Sequence, residues 1–322
     1  MRDVEYTFAV ARIRVLEKHL LSDDDISAMI SLKDVPAVVA YLLDRGWGDG
    51  SQQDPDRLLA AEASKTLDLM RELKVDPEIF RILTYPRYFH NLKAAIKELC
   101  TEVRVAGAYY ELEDFGRERL LELLREKDYR ALPEDMQKVA AEAYETMAST
   151  QDGQICDLMV DRACLDAMME IGRKNGSSLI RAYEEMTVAV TDIRIAYRAA
   201  RTGKSLRFLR EGLAECDSIS VSALADAASR GSEELLTFLR GAGYGQAADA
   251  IEEGPSAFDR WCDNRLIETL KPQKTNTISV GPLVAYYLAK ENEIKSVRIL
   301  LTAKANGFPE EAIRGRVREM YG

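Results

Sequence analysis

Apolar residues recur at every third or fourth position along most of the chain, and no stretch alternates apolar and polar residues long enough to require a sheet. Between Tyr6 and about Leu21, Phe8, Ile13, Leu16 and Leu20 keep one stripe, with Arg12, Arg14, Glu17 and Lys18 interleaved, which predicts an amphipathic helix. Asp34 then caps a short helix with Pro36 in its first turn, Val38, Val39, Leu42 and Leu43 on its apolar side, and Gly46 ending it before Trp47. The same device is expected at Ser232, capping a helix that stops at Gly241 before Tyr244, and in weaker form from Asp114 to Tyr129. Longer helices are expected over 58–73, 134–147, 155–172, 179–200 and 282–305, with interruptions at 101–112, 128–135, 149–154, 172–178, 203–205, 216–222, 241–256 and 272–282. Along the third of these segments Val160, Ala163, Cys164, Ala167, Met168 and Ile171 fall at helical spacing and read as core, as do Ile294 and Leu301 near the C-terminus.

A second pattern has a much longer period. His90-Asn91-Leu92-Lys93, Thr191-Asp192-Ile193-Arg194 and Asn292-Glu293-Ile294-Lys295 sit 101 residues apart, each opening or continuing a helical run with further basic residues. Self-similarity at a fixed period marks duplicated units that bury their apolar faces within themselves and against their neighbours. The expected organisation is all-α, in three helical repeats over residues 1–90, 91–190 and 191–322, with Ala11-Arg12-Ile13-Arg14 opening the first.

Composition narrows the function. Good helix formers dominate, and 322 residues can bury a large core without disulfides or metals. The net charge of −10 opposes sequence-independent nucleic-acid binding, which needs clustered cations to neutralise phosphates. Cys100, Cys156, Cys164, Cys216 and Cys262 form no C-x-x-C pair, and Cys156 and Cys164 fall eight residues apart on one helix, roughly 12 Å along its axis, so reduced thiols in a cytosolic setting are expected. The opening MRDVEYTFAVARIRVLE mixes charge into its apolar residues too early for a secretory segment, and no apolar run approaches membrane-spanning length.

Catalytic chemistry is not written in the chain. There is no G-x-x-x-x-G-K-[ST] phosphate loop, and Gly241-Ala-Gly243-Tyr-Gly245 follows a helix where a nucleotide fingerprint would follow a strand. His19 and His90 stand apart from any second ligand at metal spacing, and no G-x-S-x-G elbow occurs. Acidic runs such as Asp23-Asp24-Asp25, Glu233-Glu234 and Glu252-Glu253 sit at expected caps or in polar loops. No catalytic, cofactor or metal-binding residue is therefore assigned. The feature left over is a set of basic edges: Arg14 with Lys18, Lys93 with Lys97 and Arg194 with Arg198 four apart, and Lys295 with Arg298 three apart, each pair on one helix face. They read either as solvated or ion-paired faces, Glu291 being one partner for Lys295, or as partner-docking edges at Lys93, Lys97, Arg194, Arg198, Lys295 and Arg298.

Three segments carry a family resemblance: residues 9–17 (AVARIRVLE), Tyr88-Phe89-His90-Asn91-Leu92-Lys93 before Lys97, and residues 281–295 (GPLVAYYLAKENEIK), continuing through Val297-Arg298-Ile299 to Asn306-Gly307. In order, spacing and length the chain resembles the C subunit of V/A-type ATPases, the counterpart of the d subunit of eukaryotic V-ATPases. The turns at Glu211-Gly212-Leu213 and Ala106-Gly107-Ala108 depart from the expected pattern. The resemblance implies an all-helical, funnel-shaped, pseudo-threefold body in the cytoplasm, peripheral to the membrane. Such a body sits on the proteolipid ring and receives the central rotor stalk. It transmits torque for H+ or Na+ transport, without a cofactor, nucleic acid or membrane span of its own. The competing class is a free-standing helical-repeat adaptor, which would need neither ring nor rotor.

Overall fold

The computed structural model describes residues 6–112 and 114–322, so part of the charged opening, residues 1–5, lies outside it, as does Glu113. Among the described residues there is no strand, and no helix is long and apolar enough to cross a membrane. In chain order the helices are α1 Thr7–Leu16, α2 Asp23–Ser31, α3 Val35–Asp44, α4 Pro55–Glu72, α5 Pro77–Thr101, α6 Arg117–Glu126, α7 Glu134–Thr150 and α8 Gly153–Lys174. They continue as α9 Ser178–Thr202, α10 Leu206–Gly212, α11 Val221–Arg230, α12 Ser232–Gly241, α13 Gly245–Glu253, α14 Pro255–Leu270, α15 Gly281–Ala305 and α16 Glu310–Arg314.

The helix starts follow local chemistry. Asp34 accepts a hydrogen bond from the Ala37 amide at 3.0 Å with Pro36 in the first turn, Asp54 does the same for Arg57 ahead of Pro55, and Ser22 with Asp25 closes a reciprocal capping box on α2. Two expected starts move. Ser232 is the first helical residue of α12, and the cap position falls to Gly231 at φ +134, a conformation that glycine alone adopts without strain. Likewise α6 begins after Gly116, beyond the expected Asp114. The expected interruption at 241–256 contains a helix, α13, because Gln246 and the three alanines Ala247, Ala248 and Ala250 favour a helix once Gly243 and Gly254, both at positive φ, bracket the run.

The chain divides into two compact units. The first comprises residues 1–77, 177–186 and 243–322, the second residues 78–176 and 187–242. In the first, α15 packs against α4, α1, α3 and α14 and is buried on most of its faces. Its Ile294, Val297, Leu300 and Leu301 meet Met29 and Ile30 of α2, Val38 and Leu42 of α3, and Leu58 of α4, with Trp47 1% exposed at the end of α3. In the second unit α7 lies along α8, α8 meets α10, and α10, α11 and α12 pack in sequence. On α8 Val160, Cys164, Ala167, Met168 and Ile171 are buried and Ala163 half-buried, so the expected stripe is core.

Three helices, α5, α9 and α15, are each 25 residues long. Each carries a buried polar side chain near its middle that accepts a backbone N–H from another segment: Asn91 from Tyr110 at 2.8 Å, Asp192 from Ala214 at 3.2 Å, and Glu293 from Leu21 at 2.7 Å. These three residues are 0%, 0% and 2% exposed. A buried amide without a partner costs about 1–3 kcal/mol, so each contact fixes where the neighbouring segment ends up.

Replacing Ile294 or Leu301 by Asp puts an unpaired charge into the first unit's core, and a loss of at least about 3 kcal/mol is expected. Chemical denaturation of each variant measures it, and wild-type stability in both would contradict the placement.

Candidate functional site

The six docking candidates lie on α5, α9 and α15, and the structure gives most of them an internal partner. Along α5, Lys93 reaches Asp161 at 2.7 Å and Lys97 reaches Asp157 at 2.6 Å, both on α8. Two lysines four apart on one helix meet two aspartates four apart on the other, so the matching faces set a mutual register. On α15, Lys295 binds Asp263 of α14 at 2.6 Å, and that carboxylate is shared with Arg318 at 2.7 Å. Arg298 lies 3.3 Å from Asp56 with both side chains largely in solvent, which adds little stability. On α9 Arg198 is exposed and Arg194 half-buried. Arg14 binds Glu17 at 2.6 Å and donates to the carbonyls of Gln273 and Asn276, tying α1 to the segment before α15. Four of the six candidates are thus ion-paired within the chain, and Arg198, Lys295 and Arg298 are exposed.

Of the two isolated histidines, His90 is a structural group: its Nε2 lies 3.0 Å from the Ala108 carbonyl, and its ring meets Tyr110 edge-on, while His19 is exposed. Among the described residues no group of three or more His, Cys, Asp or Glu is arranged to hold a metal ion. Gly241 to Gly245 forms the turn between α12 and α13. A cleft of about 620 Å³ in the first unit is lined by Asp23, Arg260, Trp261, Arg265, Arg314 and Arg318, among others. Its charges pair among themselves, Arg265 with Glu268 at 2.8 Å and Arg260 with Glu253 at 3.6 Å, so it presents mixed charge rather than one sign.

The strongest electrostatic feature was not anticipated from the sequence. Lys290, 4% exposed, bridges Glu62 at 2.7 Å and Glu293 at 3.0 Å and lies 4.6 Å over the Trp47 ring. Glu62 also accepts from the Gly48 amide at 3.0 Å and Glu293 from the Leu21 amide, so one ammonium and two carboxylates fasten α15, α4 and two chain turns together. Burial opposes the ionisation of Glu62, but Lys290, Lys65 and the Gly48 amide outweigh it and hold this carboxyl below its usual value. Burial wins at Glu293, which is pushed up to about 7 despite Lys290 and the Leu21 amide. One signal was available: Lys290 and Glu293 stand three apart just after the apolar run that opens the helix, a spacing that puts them on one face.

Comparison with known proteins follows the same span. The family model described as ATP synthase (C/AC39) subunit matches residues 9–316. The C subunit of the V-type sodium ATPase of Enterococcus hirae is 24% identical over 326 residues, covering 99% of this chain and 99% of the relative. The C subunit of the A-type ATP synthase of Methanocaldococcus jannaschii is 21% identical over 343 residues, 96% of this chain and 85% of the relative. Its counterpart in Thermococcus kodakarensis is 20% identical over 337 residues, with 98% and 91% covered.

Removing Lys290 leaves two buried carboxylates facing each other, and Lys290→Ala is expected to cost about 3–5 kcal/mol at pH 8. Without the ammonium both folded-state carboxyl pKa values stand above their unfolded values, so the lost stability should be partly regained as pH falls to 5. Urea unfolding of the variant at the two pH values tests this; an equal deficit at both would contradict it.

Proposed function

The chain belongs to the ATP synthase (C/AC39) subunit family, and from that premise we propose that it links the central rotor stalk of a rotary ATPase to the membrane proteolipid ring, transmitting torque for H+ or Na+ transport. Within the family it is a structural component of the complex, not a catalytic one. One observation carries the proposal: relatives named as C subunits align with this chain from end to end, so the role of a whole polypeptide is transferred. The partners are then rotor-stalk subunits on one side and the ring on the other, with the protein held at the cytoplasmic face through them.

Physical features support this reading. A connector under torque must not let its helices slide, and α15 is tied to α4 by a buried ionic bridge while α5 is tied to α8 by two parallel ion pairs. The three-repeat construction over 1–90, 91–190 and 191–322 belongs to the same proposal. Its support is the recurrence of a 25-residue helix with a buried polar acceptor at 101-residue spacing. Of the basic edges, the one on α9 is proposed for docking through its exposed member Arg198, with Arg194 one turn before it, and Lys93 and Lys97 join them if their carboxylate partners leave part of each charge outward.

Gentle affinity purification of the tagged protein from its native membranes should recover stalk, ring and nucleotide-binding subunits in fixed ratio. Repeated absence of all three would favour the adaptor reading. Reversing Arg194 and Arg198 to Glu should reduce that recovery at least about tenfold while circular dichroism keeps the native helix signal. Exchanging Lys93 with Asp161 keeps the internal pair but moves its charge, so a loss of assembly there would assign the α5 edge to docking. Full recovery of all subunits by both variants would reject the docking edges.

A further inference from the structure

Asn91, Asp192 and Glu293 recur 101 residues apart near the middle of three 25-residue helices, yet they differ in what balances them. Asn91 is a neutral amide that also donates to the carbonyls of Tyr110 and Phe115, at 2.9 and 3.1 Å. Glu293 has the ammonium of Lys290 at 3.0 Å. Asp192 has neither. It is fully buried, both of its oxygens share the single Ala214 N–H at 3.2 Å, and among the described residues no cation is bonded to it. Ala214 itself packs in an apolar cluster with Leu165 and Met169 of α8 and Val188 of α9.

The charged groups around the site do not supply a counterion. On α8, Arg162 is engaged with Asp166 at 3.1 Å and with the Arg210 carbonyl at 3.4 Å. Glu215 adjoins Ala214 on the segment after α10, and Asp166 and Glu215 both oppose a negative charge at Asp192. Arg194, two residues along α9, is half-buried, and the cation whose field reaches the Asp192 carboxyl is Arg162. One shared N–H is too little to hold a buried anion, whereas the neutral acid can still accept that N–H and carries a far smaller burial cost.

We propose that Asp192 is a proton-controlled pin: as the neutral acid it holds residues 213–216 against α8 and α9, and loss of its proton loosens that segment. The inference does not depend on the coupling role. Burial pushes the carboxyl up to about 8, with the Ala214 amide and Arg162 pulling the other way, which places the transition near neutrality. The folded value stands above the unfolded one, so the contribution is fully present below about pH 4 and is lost as pH rises through about 8. Glu184, buried elsewhere on α9 and also pushed up to about 8 by burial, adds a pH dependence of the same sign that Asp192→Asn leaves in place.

The test compares the full-length protein with Asp192→Asn from pH 5 to 9, by chemical unfolding and by amide exchange at Ala214 corrected for intrinsic exchange rate. Relative to the variant, the wild-type unfolding constant should rise by up to about tenfold per pH unit below pH 8, and the Ala214 amide should open with pH only in the wild type. A merely structural aspartate would give a constant offset, and parallel profiles would overturn the proposal. If the variant does not fold, the carboxyl carbon shift of Asp192 in labelled wild-type protein decides: a midpoint above about pH 6.5 supports the pin, and a lower one overturns it.

Discussion

A long helix buried on most of its faces has to find a partner for every polar side chain it carries, and α15 shows how far that requirement organises the fold. Lys290, Asn292, Glu293 and Ser296 are all buried in it, so none can turn to water. Glu293 reaches the Leu21 backbone, Asn292 the Glu319 carbonyl, and Lys290 crosses to Glu62 on α4. Each partner belongs to a different part of the chain, so satisfying one helix fixes the end of α1, the loop after α3, the face of α4 and the C-terminal segment. A hydrophobic core of the same size would hold these elements together without prescribing their register.

The same logic explains why a chain of net charge −10 devotes its basic residues to internal work. Lys93, Lys97 and Lys295 each answer a carboxylate on the adjacent helix, and Arg117 answers Glu98 across the loop between α5 and α6. Pairs with both ends in water contribute little to stability, but two in parallel penalise sliding by a turn, because both must break together. For a non-catalytic member of the ATP synthase (C/AC39) subunit family, rigidity of this kind is the property a structural component needs.

Much of the local structure was legible in the chain. The cap at Asp34 with Pro36, the glycine stop at Gly46 and the stripe on α8 all follow from periodicity and capping chemistry, which act over a few residues. The misplacements share one cause. Ser232 and Gly231 can both begin a helix, and only the route by which α11 enters the turn selects the glycine. The helix α13 was hidden because four glycines in 241–254 outweigh a short alanine-rich run until positive φ at Gly243 and Gly254 confines them to its borders.

By itself the sequence determined an all-helical chain, the positions of its main helices, a polar residue recurring at a 101-residue interval, and the likeness to one family, because each depends on local periodicity or on spacing along the chain. Only the tertiary structure decided which charges are paired. Lys93 and Lys295 look alike in sequence, as do Asp192 and Glu293, but one lysine faces α8 and the other α14, and one acid has an ammonium beside it while the other has none. Electrostatic energy depends on distance in space and on burial, and neither can be read from a residue's neighbours in the chain.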